Sequence, residues 1–233
     1  MVAEQAYLIT GASRGIGREI ARTIARRGRR LALTGRDTAA LEATAGLARD
    51  LGAEVTVHAA DLADVSQIGK LADELKGISL SGLIANAGVA VVKGIEELTS
   101  EDWQRTLDVN VTGPFELVRR MVPSMKAGSS LVNVSSVAAK VAFPGWSSYC
   151  MSKSAMEGFF RSLREELRPR GIRVINITPA ATATDIWQGV PGEWDTAKMM
   201  SPEQVAMAVA FALDRPDDVL VEEIQIGGLG GNL

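Results

Sequence analysis

The sequence predicts an α/β fold: a doubly wound parallel β-sheet with helices on both faces. Short β-rich runs alternate with longer amphipathic stretches along the chain, and a glycine-rich turn joins the first run to the first stretch. Nothing in the composition marks a linker or a second domain. A chain of 233 residues with 46% hydrophobic content can bury a full core, so we predict one domain over residues 1–233.

Seven runs are predicted as strands and six stretches as helices. The strands are Ala6–Thr10, Arg30–Thr34, Val55–His58, Gly82–Ala85, Ser130–Val134, Arg173–Thr178 and Glu223–Ile226. The helices are Gly15–Arg27, Thr38–Leu51, Val65–Leu75, Glu101–Met125, Ser148–Leu167 and Pro202–Leu213. Right-handed crossovers connect such parallel strands.

Two helices carry local signals. The last should begin at Ser201 as N-cap, with Pro202 in the first position and Gln204 closing a capping box. The fourth contains Gly113-Pro114, and a proline there removes a backbone hydrogen bond, which predicts a kink.

The first strand leads into a glycine-rich turn, Thr10–Gly17, after which isoleucines recur at helical spacing. Glycine lets the backbone approach a pyrophosphate closely, and the helix N-terminus offers free N–H groups. The turn lacks the Gly-Lys-Ser/Thr ending of a P-loop. We interpret it as a dinucleotide phosphate site; a tight turn between packed elements is the alternative. The two three-stranded halves of this fold form a ligand crevice at the carboxyl ends of the strands.

Tyr149 and Lys153 are four residues apart and should share one face of a helix. A cation close to a phenol favours the phenolate, so we expect Lys153 to lower the pKa of Tyr149. Such a tyrosine can exchange a proton with an alcohol or carbonyl oxygen. Ser135 and Ser136 lie just upstream. Without other motifs, this spacing would indicate only a helix surface.

Composition and charge exclude several functions. A net charge of −3 argues against nucleic acid as a partner. No apolar run is long enough to span a membrane, and no signal segment precedes the first strand, so we expect a cytoplasmic protein. The one cysteine, Cys150, is expected to be a packed thiol, and the one histidine, His58, has no partners for a metal site or a catalytic triad.

The first helix and its flanks are rich in arginine, and most of these side chains should form its solvated face. Arg14 and Arg36 differ because they occupy the turns after the first two strands. There a bound nucleotide would lie, so we interpret both as phosphate ligands.

Taken together, the ordered motifs resemble those of the short-chain dehydrogenase/reductase family over essentially the whole chain. They are Thr10–Gly17, Asp61-Leu62 after the third strand, Asn86-Ala87-Gly88 after the fourth strand, Asn110, Ser136, Tyr149 and Lys153. The resemblance implies a Rossmann-like fold and an NAD(P)-dependent enzyme that interconverts a carbonyl and an alcohol.

The resemblance also implies residue roles. Tyr149 would be the general acid or base, Lys153 would lower its pKa and bind the nicotinamide ribose, and Ser136 would hold the substrate oxygen, with Ser135 as its rival. Asn110 would position a water, or fill the helix kink. The implied cofactor-binding residues are Gly11, Ser13, Arg14, Gly15, Ile16, Gly17, Arg36, Asp61, Leu62, Asn86, Ala87, Gly88, Tyr149, Lys153 and Thr184.

Three of these assignments have particular grounds. Asp61 would bind the adenine amino group, although Asp61 or Asp64 could instead cap the next helix. The second strand ends in Leu33-Thr34-Gly35-Arg36, with glycine where an NAD-preferring enzyme would place an acid, and Asp37 is expected to cap a helix. This favours NADP(H), with NAD(H) possible. Thr184 would meet the carboxamide, although Ala180 follows Pro179 where the family has glycine.

The segment 185–200 is predicted to be a flap over an apolar substrate pocket. Its tryptophans could equally serve packing or oligomer contact, and Lys198 is its only lysine or arginine, which disfavours a strongly anionic substrate. The family resemblance also implies a homodimer or homotetramer through the helices at 101–125 and 148–168. The alternative functions are a non-enzymatic NADP(H) sensor and an isomerase or dehydratase of the same fold.

Overall fold

The computed structural model describes residues 5–229, and within them one seven-stranded, all-parallel sheet forms the centre of the molecule. The strands are β1 (Gln5–Thr10), β2 (Arg30–Gly35), β3 (Val55–Ala59), β4 (Ser79–Ala85), β5 (Met125–Val134), β6 (Arg173–Pro179) and β7 (Glu223–Ile226). Their order in the sheet is β3-β2-β1-β4-β5-β6-β7. The predicted fold class is confirmed. Residues 1–4 and 230–233 of the predicted domain lie outside the described residues, so its bounds stay a prediction.

Helices cover both faces of the sheet. They are α1 (Gly15–Ala25), α2 (Thr38–Asp50), α3 (Val65–Glu74), α4 (Ser100–Leu107), α5 (Gly113–Met121), α6 (Ser147–Leu167) and α7 (Pro202–Leu213). Side chains of α1, α2 and α7 share one buried apolar cluster, whereas those of α3, α5 and α6 share another. The sheet therefore separates two hydrophobic cores.

Strand residues alternate between these cores because successive side chains of a strand point to opposite faces. In β1, Leu8 packs with the α3–α5–α6 core and Ile9 with the α1–α2–α7 core, and both are fully buried. Leu83 and Ile84 of β4 repeat the pattern. Burial on both faces explains why these strands have continuous apolar runs instead of alternating apolar and polar residues.

Helix starts follow their capping residues. Asp37 caps α2 by accepting a hydrogen bond from Ala40 N at 3.0 Å, and Asp64 caps α3 through Ser66 N at 2.8 Å. Ser201 and Gln204 form the predicted capping box of α7. These caps leave Asp37 and Asp64 with structural roles.

The fourth predicted helix is interrupted. A π-helical turn, Asp108–Thr112, separates α4 from α5, and Pro114 lies at the start of α5. The missing proline N–H makes Pro114 suited to a helix start, so the irregularity falls just before it. The turn carries Asn110, which is 3% exposed.

The chain direction through the sheet changes at the β1–β4 pair. From β1 the chain runs outward through β2 to β3, and then crosses back to β4 on the other side of β1. The segments that follow β1 and β4 consequently lead to helices on opposite faces of the sheet and leave a crevice at the carboxyl ends of these strands, where such folds bind ligands. Among residues 5–229, no helix combines the length and apolar character needed to cross a membrane.

Candidate active site

A cleft of about 1010 Å³ lies at the carboxyl ends of the first strands and β4. Its lining contains most residues predicted to bind a cofactor: Gly11, Ser13, Arg14, Gly15, Ile16, Arg36, Asp61, Leu62, Asn86, Ala87, Gly88 and Thr184. Three other predicted residues lie next to this lining. Gly17 lies behind it, Tyr149 lines an adjoining pocket, and Lys153 is buried beside the cleft. The fold thus gathers segments that are up to 173 residues apart in the chain, from Gly11 to Thr184.

The glycine turn is packed too closely for side chains. Gly11 has a φ of +64°, and a Cβ at Gly17 would lie 2.2 Å from the Gly11 carbonyl oxygen. Such a conformation favours glycine, and such an approach excludes every larger residue. The turn between β1 and α1 therefore needs glycine at both positions, and Gly11 itself lines the cleft.

The loop after β4 is tied to this turn. The Thr10 hydroxyl accepts hydrogen bonds from Asn86 N and Ala87 N at 2.9 and 3.0 Å, and Asn86 Nδ2 donates to Thr10 O at 2.9 Å. These bonds span the switch point between β1 and β4. They hold the two sides of the cleft in fixed register.

The cleft rim is rich in arginine. Arg14, Arg18, Arg36 and Arg105 line it, together with three aspartates, Asp37, Asp61 and Asp185. Arg14 Nη1 lies 3.5 Å from Asp185 Oδ2, and both side chains are largely exposed, so this ion pair contributes little stability. Arg18 instead donates to Ser13 O at 2.7 Å and supports the glycine turn.

Asp61 lines the cleft and also stabilises the loop after β3. Its Oδ1 accepts a hydrogen bond from Ala63 N at 3.0 Å. The helix cap itself is Asp64. The sequence left open whether Asp61 or Asp64 caps this helix. In the structure Asp64 is the cap, and Asp61 lines the cleft.

A second pocket of about 100 Å³ adjoins the cleft and shares Ile16, Thr184 and Ile186 with it. The hydroxyl-bearing residues Ser136 and Tyr149 line it. Aromatic rings form much of its wall, namely Phe143, Trp146 and Trp187. An apolar chamber with an aromatic wall therefore lies beside the larger cleft.

The aromatic wall is built on Trp146. Its ring lies edge-on to that of Tyr149 at 5.4 Å between centroids and to that of Trp187 at 5.7 Å. Trp187 comes from the flap, and its Nε1 donates to Thr182 O at 2.8 Å. Trp194 packs on Trp187 at 4.8 Å, away from the pocket lining. The flap tryptophans thus divide their roles: Trp187 contacts the pocket, and Trp194 supports it.

The environment of Tyr149 corrects one expectation. Burial raises the pKa of Tyr149 to about 12, although a side-chain hydrogen bond with Ser136 acts in the opposite direction. The predicted lowering by Lys153 is not found, because loss of hydration of the phenolate outweighs any stabilisation by a cation. Lys153 Nζ lies 5.6 Å from the Tyr149 ring centroid and donates to Val134 O at 3.0 Å.

Lys153 itself is 8% exposed. Burial lowers the pKa of Lys153 to about 8, and the negative charge of Glu157 partly opposes this change. A buried ammonium is costly unless it is paired or hydrogen-bonded. The Val134 carbonyl provides one such partner.

Asn110 fixes the loop after β4. Its Oδ1 accepts from Val89 N at 2.8 Å, and its Nδ2 donates to Val89 O at 2.8 Å and to Ser152 Oγ at 3.0 Å. A Cβ built on Gly88 would lie 3.4 Å from Asn110 Oδ1 and 3.6 Å from Lys153 Nζ. Asn110 therefore lies beside Lys153, and its amide has a structural role that supports the site.

The turn after β6 tolerates alanine. None of the described non-glycine residues has a positive φ, so Ala180 occupies an ordinary conformation. Its N–H donates to Ile226 O at 2.8 Å. Thr184 reaches both the cleft and the pocket without the glycine that the family resemblance led us to expect.

The remaining candidate residues are partnered elsewhere. His58 bonds Glu74 through Nδ1 at 2.8 Å and Thr56 through Nε2 at 3.0 Å. Cys150 is half-buried, with Sγ 3.8 Å from Val141 O. Within residues 5–229, no cluster of three His, Cys, Asp or Glu side chains could hold a metal ion.

Sequence reasoning missed Trp146, Arg105 and Glu157. Trp146 stands three residues before Tyr149, and Glu157 stands four residues after Lys153, so helical spacing could have placed both on the same face of α6. Arg105 lies on α4 and lines the cleft, and no local pattern indicated that.

Comparisons with known proteins agree with this geometry. The sequence profile of the family described as short chain dehydrogenase matches residues 5–193. Sepiapterin reductase of Chlorobaculum tepidum is 33% identical over 237 residues, which cover 97% of each chain. The fold is similar to that of an alcohol dehydrogenase from Thermococcus sibiricus complexed with 5-hydroxy-NADP, with a TM-score of 0.88, 29% identity and 97% of each chain covered.

A short chain dehydrogenase from Burkholderia cenocepacia in complex with NADP has a TM-score of 0.86 and 28% identity, again over 97% of each chain. These relatives are dehydrogenases and reductases, as the motifs and the cleft led us to expect. The chain is a member of the short-chain dehydrogenase family and an oxidoreductase of that family.

Proposed function

We propose that this protein is an NADP(H)-dependent carbonyl reductase that converts a small apolar ketone or aldehyde to the alcohol, and back. One observation carries the proposal: the hydroxyls of Ser136 and Tyr149 meet in an apolar pocket that opens into a cleft of about 1010 Å³. A cleft of this size suits a dinucleotide, and the pocket beside it suits the group that is reduced.

The residues of the cleft fit a dinucleotide phosphate. The glycine turn puts Gly11 and Gly15, which have no side chain, in the cleft lining at the start of α1, where a pyrophosphate would approach. Lys153 and Tyr149 stand on the side where the nicotinamide ribose would be held. When bound, the nicotinamide supplies or accepts the hydride.

Tyr149 would donate the proton to the carbonyl oxygen during reduction. A phenol with a pKa of about 12 is neutral at physiological pH and therefore carries the proton that reduction consumes. Ser136 would donate a second hydrogen bond to the same oxygen, where negative charge grows in the transition state. Lys153 would stabilise the phenolate that remains.

The preference for NADP(H) rests on the end of β2. Gly35 places no carboxylate beside the cleft, and the exposed Arg36 lines it, as does Arg14. Arginine suits a 2′-phosphate, whereas an acidic residue would repel it. The two structural relatives named above were solved with NADP or a modified NADP, which supports the same preference.

The substrate is proposed to be a compact, uncharged carbonyl compound with an apolar or aromatic substituent. No Asp, Glu, Lys or Arg belongs to the described residues that line the smaller pocket. An unpaired charge placed there would lose its hydration without compensation. Phe143, Trp146 and Trp187 would instead pack on a hydrophobic substituent.

Absorbance of the reduced nicotinamide tests the function directly. Purified protein mixed with NADPH and a panel of ketones, aldehydes and diketones should oxidise NADPH with at least one apolar member. Retained NADPH binding without turnover of any carbonyl would favour a sensor. Turnover of an alcohol-containing compound without net change in NADPH would favour an isomerase or dehydratase.

We also propose a homodimer or homotetramer assembled through α4, α5 and α6. Trp103 and Phe115 are 40% and 41% exposed on this face, and Phe115 packs edge-on against Phe159 of α6 at 5.8 Å. Burial of such aromatic surface in a subunit contact would be favourable. Light scattering during gel filtration measures the mass, and a monomer at all concentrations would refute the proposal.

The cytoplasm is the proposed compartment. The single cysteine cannot form an internal disulfide, which suits a reducing environment. Fractionation of the producing cells would test the location.

A further inference from the structure

A buried acid lies next to Lys153 on α6 and is absent from the reaction scheme above. Glu157 is 8% exposed and follows Lys153 by one helical turn, so the two side chains share a helix face. Glutamate is rarely this buried without a partner. Its position therefore calls for an explanation.

The carboxylate is fixed from the sheet side. Thr178 of β6 is fully buried, and its hydroxyl donates to Glu157 Oε1 at 2.9 Å. Since a threonine in a strand has few rotamers, this bond sets the direction of the glutamate. Thr178 and Glu157 thus form a rigid pair between the sheet and the face of α6 that carries Lys153.

We propose that Glu157 is a positioning residue for the reaction: held by Thr178, its carboxylate keeps the buried Lys153 protonated. The inference rests on the proposed role of Lys153 beside Tyr149. Burial drives the Lys153 ammonium toward the neutral amine, which could neither stabilise a phenolate nor donate three hydrogen bonds. A fixed negative charge one turn away opposes that loss.

The other groups around Lys153 cannot replace this charge. Tyr149, Asn110 and the Val134 carbonyl lie near Lys153 and are neutral groups from α6, the π-helical turn and β5. Charged groups on the surrounding elements have other partners or are exposed: Lys140 pairs with Glu223, Arg164 with Glu222 and Asp108 with Gln104, and Arg161 and the cleft residue Arg105 are exposed. Within residues 5–229, Glu157 is the only group whose charge is found to act on Lys153.

The experiment compares Glu157→Gln with Glu166→Gln. Both remove one negative charge from α6, but Glu166 is exposed and lies more than two further turns along the helix. Heteronuclear NMR of protein labelled on its lysine side chains follows the Lys153 titration without any need for turnover. The chain has seven lysines, and Lys153→Met assigns the signal.

We expect Glu157→Gln to move the Lys153 midpoint about one pH unit lower, and the alkaline limb of kcat/KM for carbonyl reduction to move with it. The loss relative to wild type should then be large at pH 9 and small at pH 6. Glu166→Gln should leave both the Lys153 titration and the pH profile of kcat/KM unchanged. A purely structural role would instead lower activity equally at every pH.

Thr178→Val and Thr178→Ser provide a second route should Glu157→Gln not fold. Thr178→Val should lower the midpoints of the Lys153 titration and of the alkaline limb of kcat/KM, as Glu157→Gln does. Thr178→Ser should keep both midpoints at their wild-type values. Curves of the glutamine or valine variant that superimpose on wild type would overturn the proposal, as would a shifted Lys153 titration with an unmoved kcat/KM profile. A shifted Lys153 titration in a protein that reduces no carbonyl would instead refute the proposed function and leave the Glu157–Lys153 coupling established.

Discussion

Lys153 Nζ lies 5.6 Å from the ring centroid of Tyr149, one helical turn away on α6, and donates its hydrogen bond to Val134 rather than to the phenol. The ammonium lies over the Tyr149 ring, within the range of a cation–π contact. Burial moves the two groups in opposite directions, raising the pKa of Tyr149 to about 12 and lowering the pKa of Lys153 to about 8. At neutral pH this favours a neutral phenol beside an ammonium, the combination that carbonyl reduction needs.

Tyr149→Phe should abolish proton donation while preserving the fold and the cleft. We expect carbonyl reduction to fall about 10²–10⁴-fold and NADPH affinity to change by no more than about threefold. The measurements are steady-state kinetics and NADPH titration by fluorescence. Tyr7→Phe is the matched control, since Tyr7 is the only other tyrosine and lies outside the site. A fully active Tyr149→Phe enzyme would remove Tyr149 from the mechanism.

The pH profile of reduction should follow Lys153. Below about pH 8 the ammonium is present and the phenol is neutral, so kcat/KM should reach a plateau there. As pH rises through about 8, the ammonium is lost and kcat/KM should fall by about tenfold per pH unit. Alcohol oxidation needs the phenolate and should rise with pH instead.

Lys153→Arg tests the origin of this alkaline limb, because a guanidinium stays charged over the whole range. Provided that the variant retains measurable activity, its kcat/KM for carbonyl reduction should no longer fall at alkaline pH. A limb that stays in place in Lys153→Arg would assign the ionisation to another group.

Cofactor choice should depend on Gly35 and Arg36. A Cβ at Gly35 would meet only ordinary contacts, the nearest being a Leu41 methyl at 3.6 Å, so Gly35→Asp should fold. Its carboxylate should lower kcat/KM for NADPH by about tenfold or more and favour NADH. Arg36→Ala should weaken the binding of NADPH and leave the binding of NADH unchanged. A wild-type enzyme that prefers NADH would contradict the assignment.

Trp187→Ala should open the substrate pocket. Removal of the indole from the wall beside Trp146 should raise KM for an aromatic ketone by at least about tenfold, with a smaller effect on a short aliphatic ketone. Phe211→Ala is the control, because Phe211 is 50% exposed on α7 and remote from the pocket. Equal effects on both ketones would show that Trp187 serves the flap rather than the substrate.

Two glycine-to-alanine changes should affect stability in opposite directions. At Gly17 the added Cβ would meet the Gly11 carbonyl oxygen at 2.2 Å, so Gly17→Ala should destabilise by about 1–3 kcal/mol and weaken nucleotide binding. At Gly46, inside α2, no atom lies within 4 Å of the added Cβ, and Gly46→Ala should stabilise by about 0.5–1 kcal/mol. Urea unfolding monitored by circular dichroism measures both values.

Periodicity and capping allowed most of the secondary structure to be predicted. Continuous apolar runs such as 6–9 marked buried parallel strands, and Ser201 with Gln204 marked the start of α7 to the residue. The fourth helix was the exception. Gly113-Pro114 predicted that this helix is irregular, but the π-helical turn also contains Asn110, whose amide bonds Val89 and Ser152, and tertiary bonds of this kind leave no local pattern.

The order of motifs along the chain determined the fold class, the family and many of the residues that line the cleft, because each depends on local spacing and residue type. Only the tertiary structure decided the electrostatics and the aromatic wall of the smaller pocket. The pKa of Tyr149 and of Lys153 depends on how completely each is removed from water, and burial results from contacts between distant segments. For the same reason the pairing of Glu157 with Thr178, and the meeting of Trp146 with Trp187, became visible only once β6 and the flap were packed against α6.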